Sequence, residues 1–184
     1  IGITPGGLVR ISGTGLAPGI TGERNANLLG GRLPIEFAGV TVEFTSGGVS
    51  AFAPIYQVAN IGGAESVMVQ VPFELAGTTA SATMNVQGGS TTVANIQVLP
   101  ASPGVLEDTF TGGRRAAVVI RSDGKAVTPE TPARRGETLR MYAIGLGQTS
   151  PAASTNSVGQ PDQRVLANIA VGIDNAGVDV ISAK

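Results

Sequence analysis

The sequence predicts an all-β protein of two tandem β-sandwiches, residues 1–100 and 101–184, the second incomplete within the chain. Three observations carry that expectation. Apolar and polar residues alternate in short runs such as Val40-Thr-Val-Glu-Phe44 and Glu65-Ser-Val-Met-Val-Gln-Val71, the period of a half-buried strand. Among 184 residues, 27 glycines and 11 prolines punctuate those runs with turns. Finally, Gly6-Gly-Leu-Val-Arg-Ile-Ser-Gly-Thr-Gly-Leu16 recurs as part of Arg135-Gly-Glu-Thr-Leu-Arg-Met-Tyr-Ala-Ile-Gly-Leu-Gly147. Val9, Ile11, Gly15 and Leu16 match Leu139, Met141, Gly145 and Leu146 at a constant offset (139 − 9 = 130), the sign of an internal duplication.

In chain order, Leu8–Ser12 reads as a strand with Val9 and Ile11 on one face, ended by the Gly13-Thr-Gly15 corner. Residues 17–34 are polar and Gly-rich and read as a surface loop. Strand character returns over 35–45. The Ser46-Gly-Gly48 turn leads into a partner strand, Val49–Tyr56, blunted by Pro54. Glu65–Val71 is the next strand, and Pro72–Gly77 is expected to make a single helical turn. Thr78–Gln87 and Ser90–Leu99 form a hairpin about Gly88-Gly89. Leu99-Pro-Ala-Ser-Pro-Gly104 is the expected domain boundary.

The second unit opens with 104–110. Ala116–Ile120 is a continuous apolar run suited to a strand covered on both faces. The turn at Ser122-Asp-Gly-Lys125 and a connection over 129–135 lead to the strand Thr138–Ala143 and the glycine corner at Gly145 and Gly147. Residues 148–163 read as a polar loop. Ile169, Val171 and Ile173 then alternate, Asp174-Asn-Ala-Gly177 turns, and Val178–Ser182 starts a partner strand. Val40, Val42, Phe44, Gly48 and Val49 match Ile169, Val171, Ile173, Gly177 and Val178 at a second offset (169 − 40 = 129). Nothing in the second copy matches residues 56–100, so its sheet edge and core are expected to stay open.

Composition excludes whole classes of chemistry. Histidine, cysteine and tryptophan are absent, which removes His general bases, Cys nucleophiles, Ser/His triads and the usual zinc sites, and the chain reads as non-catalytic and without cofactors. The net charge of −1 lacks the basic footprint of a nucleic-acid binder. Neither a membrane span nor a signal peptide is legible. The first residue, Ile1, reads as the start of a processed chain or of a piece of something longer.

Five blocks carry a family resemblance: Ile11-Ser-Gly-Thr-Gly-Leu-Ala17; Gly48-Val-Ser-Ala51; Val69-Gln-Val-Pro72 with Glu74-Leu-Ala-Gly77; Ser102-Pro-Gly104; and Ala133 to Gly147 with Ser150-Pro151. In this order they resemble the Ig-like C-terminal module of large secreted proteins of acidobacterial type, related in style to IPT/TIG domains. Ser66-Val67-Met68 stands where that family usually has Gln-Ile-Asn. The resemblance implies a two-lobed Ig-like β-sandwich on an extracellular or cell-surface protein and brings no catalytic residues.

Several clusters offer chemistry beside a blander use. Asp174, Asn175 and Asp179 present oxygens of the kind Ca²⁺ takes, but Asp-Asn-Ala-Gly is also an ordinary hairpin turn, and no metal is assigned. Glu36 with Glu43, or Glu107 with Asp108, would be the paired carboxylates of a glycosidase; without an aromatic sugar platform they read as solvent-face charge. Tyr56, Phe52 and Phe73 would make an apolar recognition patch, against core packing as the default. Arg114-Arg115 with Arg134-Arg135 would meet a phosphate or acidic glycan, against simple solvation beside turns. Gly145-Leu-Gly147 lacks the Lys-Ser/Thr and the helix of a phosphate loop.

The function expected is therefore that of an extracellular structural or adhesive protein. It would be a self-assembling fibre or surface-layer subunit joined to its neighbours by β-strand addition, so its partner would be further copies of itself, with a surface glycan or protein as a second ligand. The alternative is a carbohydrate-binding module or a spacer domain of a larger secreted protein.

Overall fold

A computed structural model describes residues 2–173 and 176–184. The chain is all-β, and its one helical piece among the described residues is a 3-10 turn at Thr111–Gly113. Two compact units emerge: residues 1–102 with 145–184, and residues 103–144. The first crossing lies at the predicted Pro/Gly linker. The chain rejoins the first unit at Gly145, within the predicted glycine corner.

Ten strands lie within residues 2–98: β1 Gly2–Ile3, β2 Leu8–Gly13, β3 Gly22–Asn25, β4 Glu36–Phe37, β5 Val40–Ser46, β6 Val49–Phe52, β7 Ile55–Ile61, β8 Ala64–Gln70, β9 Thr79–Val86 and β10 Gly89–Val98. One sheet runs β1-β10-β9-β5-β4, with β6 also on β5; the other runs β2-β8-β7-β3. All neighbours are antiparallel except β1 and β10. The period-2 pattern drives this arrangement. Val40, Val42 and Phe44 of β5 and Ala80, Ala82 and Met84 of β9 turn inward from one sheet, and Val67 and Val69 of β8 from the other. Phe44 keeps only 1% of its surface, so the two layers close over a dry centre.

Turn chemistry sets the registers. Ser46 pairs with Val49, leaving Gly47 and Gly48 as a two-residue loop in which both φ angles are positive. A Cβ at Gly47 would stand 2.6 Å from the Ala76 carbonyl oxygen, so the loop also lies too close to the 76–77 backbone for a side chain. In the β9–β10 hairpin Val86 pairs with Gly89, which places the loop at Gln87-Gly88, one residue earlier than the sequence suggests.

Four expectations need correction. The presumed loop over 17–34 contains β3, whose Gly-Glu-Arg-Asn sequence has no apolar alternation and is held by pairing with β7. Val49–Tyr56 is not one strand: β6 stops at Phe52, and after Pro54 the chain starts β7 in the other sheet. Pro72–Gly77 forms turns rather than a helical turn. Residues 116–120 are broken at Val118 and are half-buried, not covered on both faces.

The unit 103–144 holds β11 Gly104–Val105, β12 Glu107–Phe110, β13 Arg114–Ala117, β14 Val119–Arg121, β15 Leu139–Met141 and β16 Ala143–Ile144. They form three separate two-stranded ladders: β11 with β16, β12 with β13, and β14 with β15. No described residue of this unit is buried. The duplicated strand accordingly finds a different partner in each copy. In the first, β2 pairs over six residues with β8, which follows it; in the second, β15 pairs over three with β14, which precedes it.

The remainder holds β17 Thr149–Ser150, paired with β18 Arg164–Val165, and β19 Val171–Ile173, paired with β20 Ala176–Val178. Ile173 pairs with Ala176, and the predicted turn residues Asp174 and Asn175 lie outside the described residues. At the second offset Gly48 matches Gly177, yet Gly177 sits in the ladder opposite Gly172. The last pair of the second ladder, Ile173 with Ala176, thus lies two residues earlier than the equivalent of Ser46 with Val49, a shift that keeps every side chain on its face.

Candidate interaction surfaces

The second appearance of glycine-rich sequence and the Val-Pro block meet in a polar joint. Segment 148–157 crosses the turn after β8. Thr155 donates its N–H to Glu74 Oε1 at 2.9 Å and its hydroxyl to Glu74 Oε2, while its Oγ1 accepts from the Phe73 N–H at 2.7 Å. Gln148 Nε2 donates to the Phe73 carbonyl at 2.9 Å, and the Asn156 N–H donates to Gln70 Oε1 at 3.1 Å. Asn156 also binds both main-chain groups of Leu33, accepting its N–H at 2.8 Å and donating to its carbonyl at 2.7 Å. It does so from a left-handed backbone with φ of 61°, a conformation Asn tolerates better than other side chains. Partial burial works to raise the Glu74 pKa, but the hydrogen bonds from Thr155 outweigh it and hold the carboxyl below its ordinary value. Gln70 and Glu74 belong to the block that carried the family resemblance, and Phe73 lies between its two parts, so that block has a structural use: it clamps a segment some eighty positions away.

Glu65 does similar work at the first glycine corner. Its Oε2 accepts the Leu16 N–H at 2.8 Å where Gly13-Thr-Gly15 reverses the chain. Ser66, at the point of departure from the family pattern, accepts a bond from Arg10 Nη1 at 2.9 Å.

In the unit 103–144 the organising side chain is Arg121, only 16% exposed despite its charge. Its Nε pairs with Glu137 Oε1 at 2.8 Å, Nη1 reaches the Ala126 carbonyl at 3.0 Å, and Nη2 the Thr131 and Pro132 carbonyls at 2.8 Å each. The Arg134 N–H donates to Glu137, and this bond leads the causes that lower the Glu137 pKa. A hollow of about 620 Å³ opens here beside Lys125, Glu130 and Arg134. Arg121 has spent four of its five donors on Glu137 and the loop and acts as a staple rather than an anion ligand.

The candidate clusters separate accordingly. Glu107 pairs with Arg115 at 2.5 Å, and Asp108 accepts the Thr109 N–H, so this carboxylate pair and half of the first arginine pair are used locally. Arg114, Arg134 and Arg135 are exposed. Glu36 and Glu43 stand on neighbouring strands, β4 and β5, the first exposed and the second half-buried. Asp179 is exposed, Asp174 and Asn175 lie outside the described residues, and no group of three metal-ligating side chains occurs among the described residues. Gly145 and Gly147 are buried, and a Cβ at Gly147 would stand 2.0 Å from the Pro100 carbonyl oxygen, so this corner packs on the linker. Phe52 and Tyr56 are each 44% exposed, against the core packing expected of them, while Phe73 is half-buried.

Exposed aliphatic side chains occur at Leu28, Leu29 and Ile35 and again late in the chain. Leu166, Ile173, Val178, Val180 and Ile181 are all exposed, Ile181 by 81%. Sequence alternation finds these residues but is silent on what covers them. No described helix is long and apolar enough to cross a membrane. No protein-family model, curated protein or solved structure matches the chain.

Proposed function

We propose that this chain is a non-catalytic extracellular structural protein, an Ig-like module that assembles with copies of itself by β-strand addition into a fibre or surface layer. One contrast carries the reading. Residues 3–86 supply every buried apolar side chain of the core, whereas residues 103–184 form only two-stranded ladders and leave five large aliphatic side chains of 166–181 in water. A lone two-stranded ribbon is marginal in water, and exposed apolar strands are the usual material of strand exchange between molecules. The likeness of five sequence blocks to secreted Ig-like modules supports an extracellular setting, and the absence of His and Cys from the sequence supports a role without catalysis. Light scattering and electron microscopy of the purified chain test this: concentration-dependent linear polymers are expected, and a monomer at every concentration would refute it.

A second reading, a carbohydrate-binding module, is favoured by the exposure of Phe52 and Tyr56, since sugar rings stack on exposed aromatics. It predicts glycan binding by a monomer, lost on substitution of Tyr56 by Ala.

A further inference from the structure

We infer that the acceptor in this assembly is the open edge of β10 and that its occupant is the Ala167–Ile173 segment of a second copy; the inference rests on the self-assembly reading above. β10 is the longest strand in the protein, at ten residues, and β1 covers only Gln97 and Val98. Gly89–Asn95 are all exposed, and the N–H and C=O groups on the side away from β9 have no partner among the described residues.

Every other edge of the two sheets carries a device that discourages pairing. β2 bears Arg10, β3 bears Glu23 and Arg24, β1 and β4 are two residues long and β4 holds Glu36, and β6 is four residues long and is followed by Pro54. Charge, shortness, proline and bulges are among the means by which sheet edges are blunted. Over Gly89–Val93 β10 has none of them: no charged side chain occurs between Glu74 and Glu107, and the nearest proline, Pro100, lies beyond its far end. The bulge between Val93 and Ile96, where Asn95 takes a φ of 59°, blunts the later part of the strand and leaves Gly89–Val93 as the open stretch.

The occupant combines the same lack of charge with an open strand edge of its own. Between Arg164 and Asp174 the chain again carries no charge. Here β19 pairs on one side with β20, its other side has no partner among the described residues, and Ile173 is 60% exposed. Joining an uncharged edge to an uncharged strand satisfies both rows of backbone groups without burying an ion. Because the two surfaces differ, the contact is heterologous and repeats head to tail instead of closing.

Complementary variants of the full chain test the inference by sedimentation velocity. Thr92→Lys puts a charge on the acceptor edge, on the exposed face where Thr92 meets Thr83; Ser90→Lys, also exposed, is its replicate; Ile173→Lys marks the donor. Circular dichroism and urea midpoints confirm that each variant keeps the sandwich. Each variant alone is expected to raise the concentration at which polymers appear by about tenfold or more, the loss of about 1.4 kcal/mol per joint. A 1:1 mixture of Thr92→Lys with Ile173→Lys is expected to form heterodimers and stop, since only one intact joint is available. Polymers unaffected by any variant would overturn this assignment while leaving self-assembly standing. A wild-type assembly that stops at a dimer and yields to Thr92→Lys but not to Ile173→Lys would overturn the occupant in favour of β10 pairing with β10. A wild-type chain that stays monomeric would remove the underlying reading itself.

Discussion

Glu74 and Asn156 each hold one end of the joint between segment 148–157 and the turn after β8, and each makes a distinct prediction. Because hydrogen bonds from Thr155 lower the Glu74 pKa below 4.5, the folded state favours the charged carboxylate. That contribution is present above the unfolded value and is lost as the pH falls through the folded one. The Thr155 amide proton should therefore shift with a midpoint below that of an ordinary exposed glutamate in an NMR titration, and the shift should vanish in Glu74→Gln. Asn156→Ala removes two hydrogen bonds to Leu33 and puts an unsuited side chain at positive φ. It should cost about 2–3 kcal/mol in urea denaturation, and Asn156→Gly less, because glycine keeps the backbone term. At this scale the sequence was least informative. The Gln70–Glu74 block was visible as a motif, but its partners lie some eighty residues on, and no local period encodes a contact of that range. Arg121 was invisible for the same reason: an arginine at the end of an apolar run looks solvated until the loop that wraps it is seen.

Elements were legible wherever one face alone is buried. β5, β8 and β9 could be read from alternation because their inward residues are apolar and their outward ones polar. β7 could not, since Gln57, Val58 and Ala59 are buried in succession and leave no period. β3 is an edge strand held by backbone pairing, so its side chains record nothing of it. The Ala116–Ile120 run misled in the opposite way: apolar composition permits burial but does not supply the layer that performs it. Two comparisons test this difference between the halves. Phe44→Ala should lose about 3–5 kcal/mol, the usual result of emptying a closed core, whereas Ile120→Ala, half-buried in its ladder, should lose about 1 kcal/mol or less. In the β5–β6 turn, Gly47→Ala and Gly48→Ala share the cost of a left-handed alanine, about 1–2 kcal/mol. Only Gly47→Ala also meets the Ala76 carbonyl, so it should be the more damaging of the two by thermal denaturation.

Across the whole chain, the all-β class was readable from composition and period, while the distribution of burial was not. The repeat suggested two like lobes. The strands of the repeat do recur, but β2 enters a four-stranded sheet and β15 a two-stranded ladder, and only the first half gathers a core. Stability should follow that asymmetry. Amides of β5, β7, β8 and β9 should exchange slowly with solvent and those of 103–144 quickly, as expected where few apolar groups are covered. In the proposed assembly the exposed aliphatic residues of the late segment supply the drive to associate and the uncharged edge of β10 the place. Sedimentation velocity of the purified chain over a wide concentration range tests this most directly. The account predicts a sedimentation coefficient that climbs with concentration as elongated polymers grow; a single species whose coefficient stays constant throughout would contradict it.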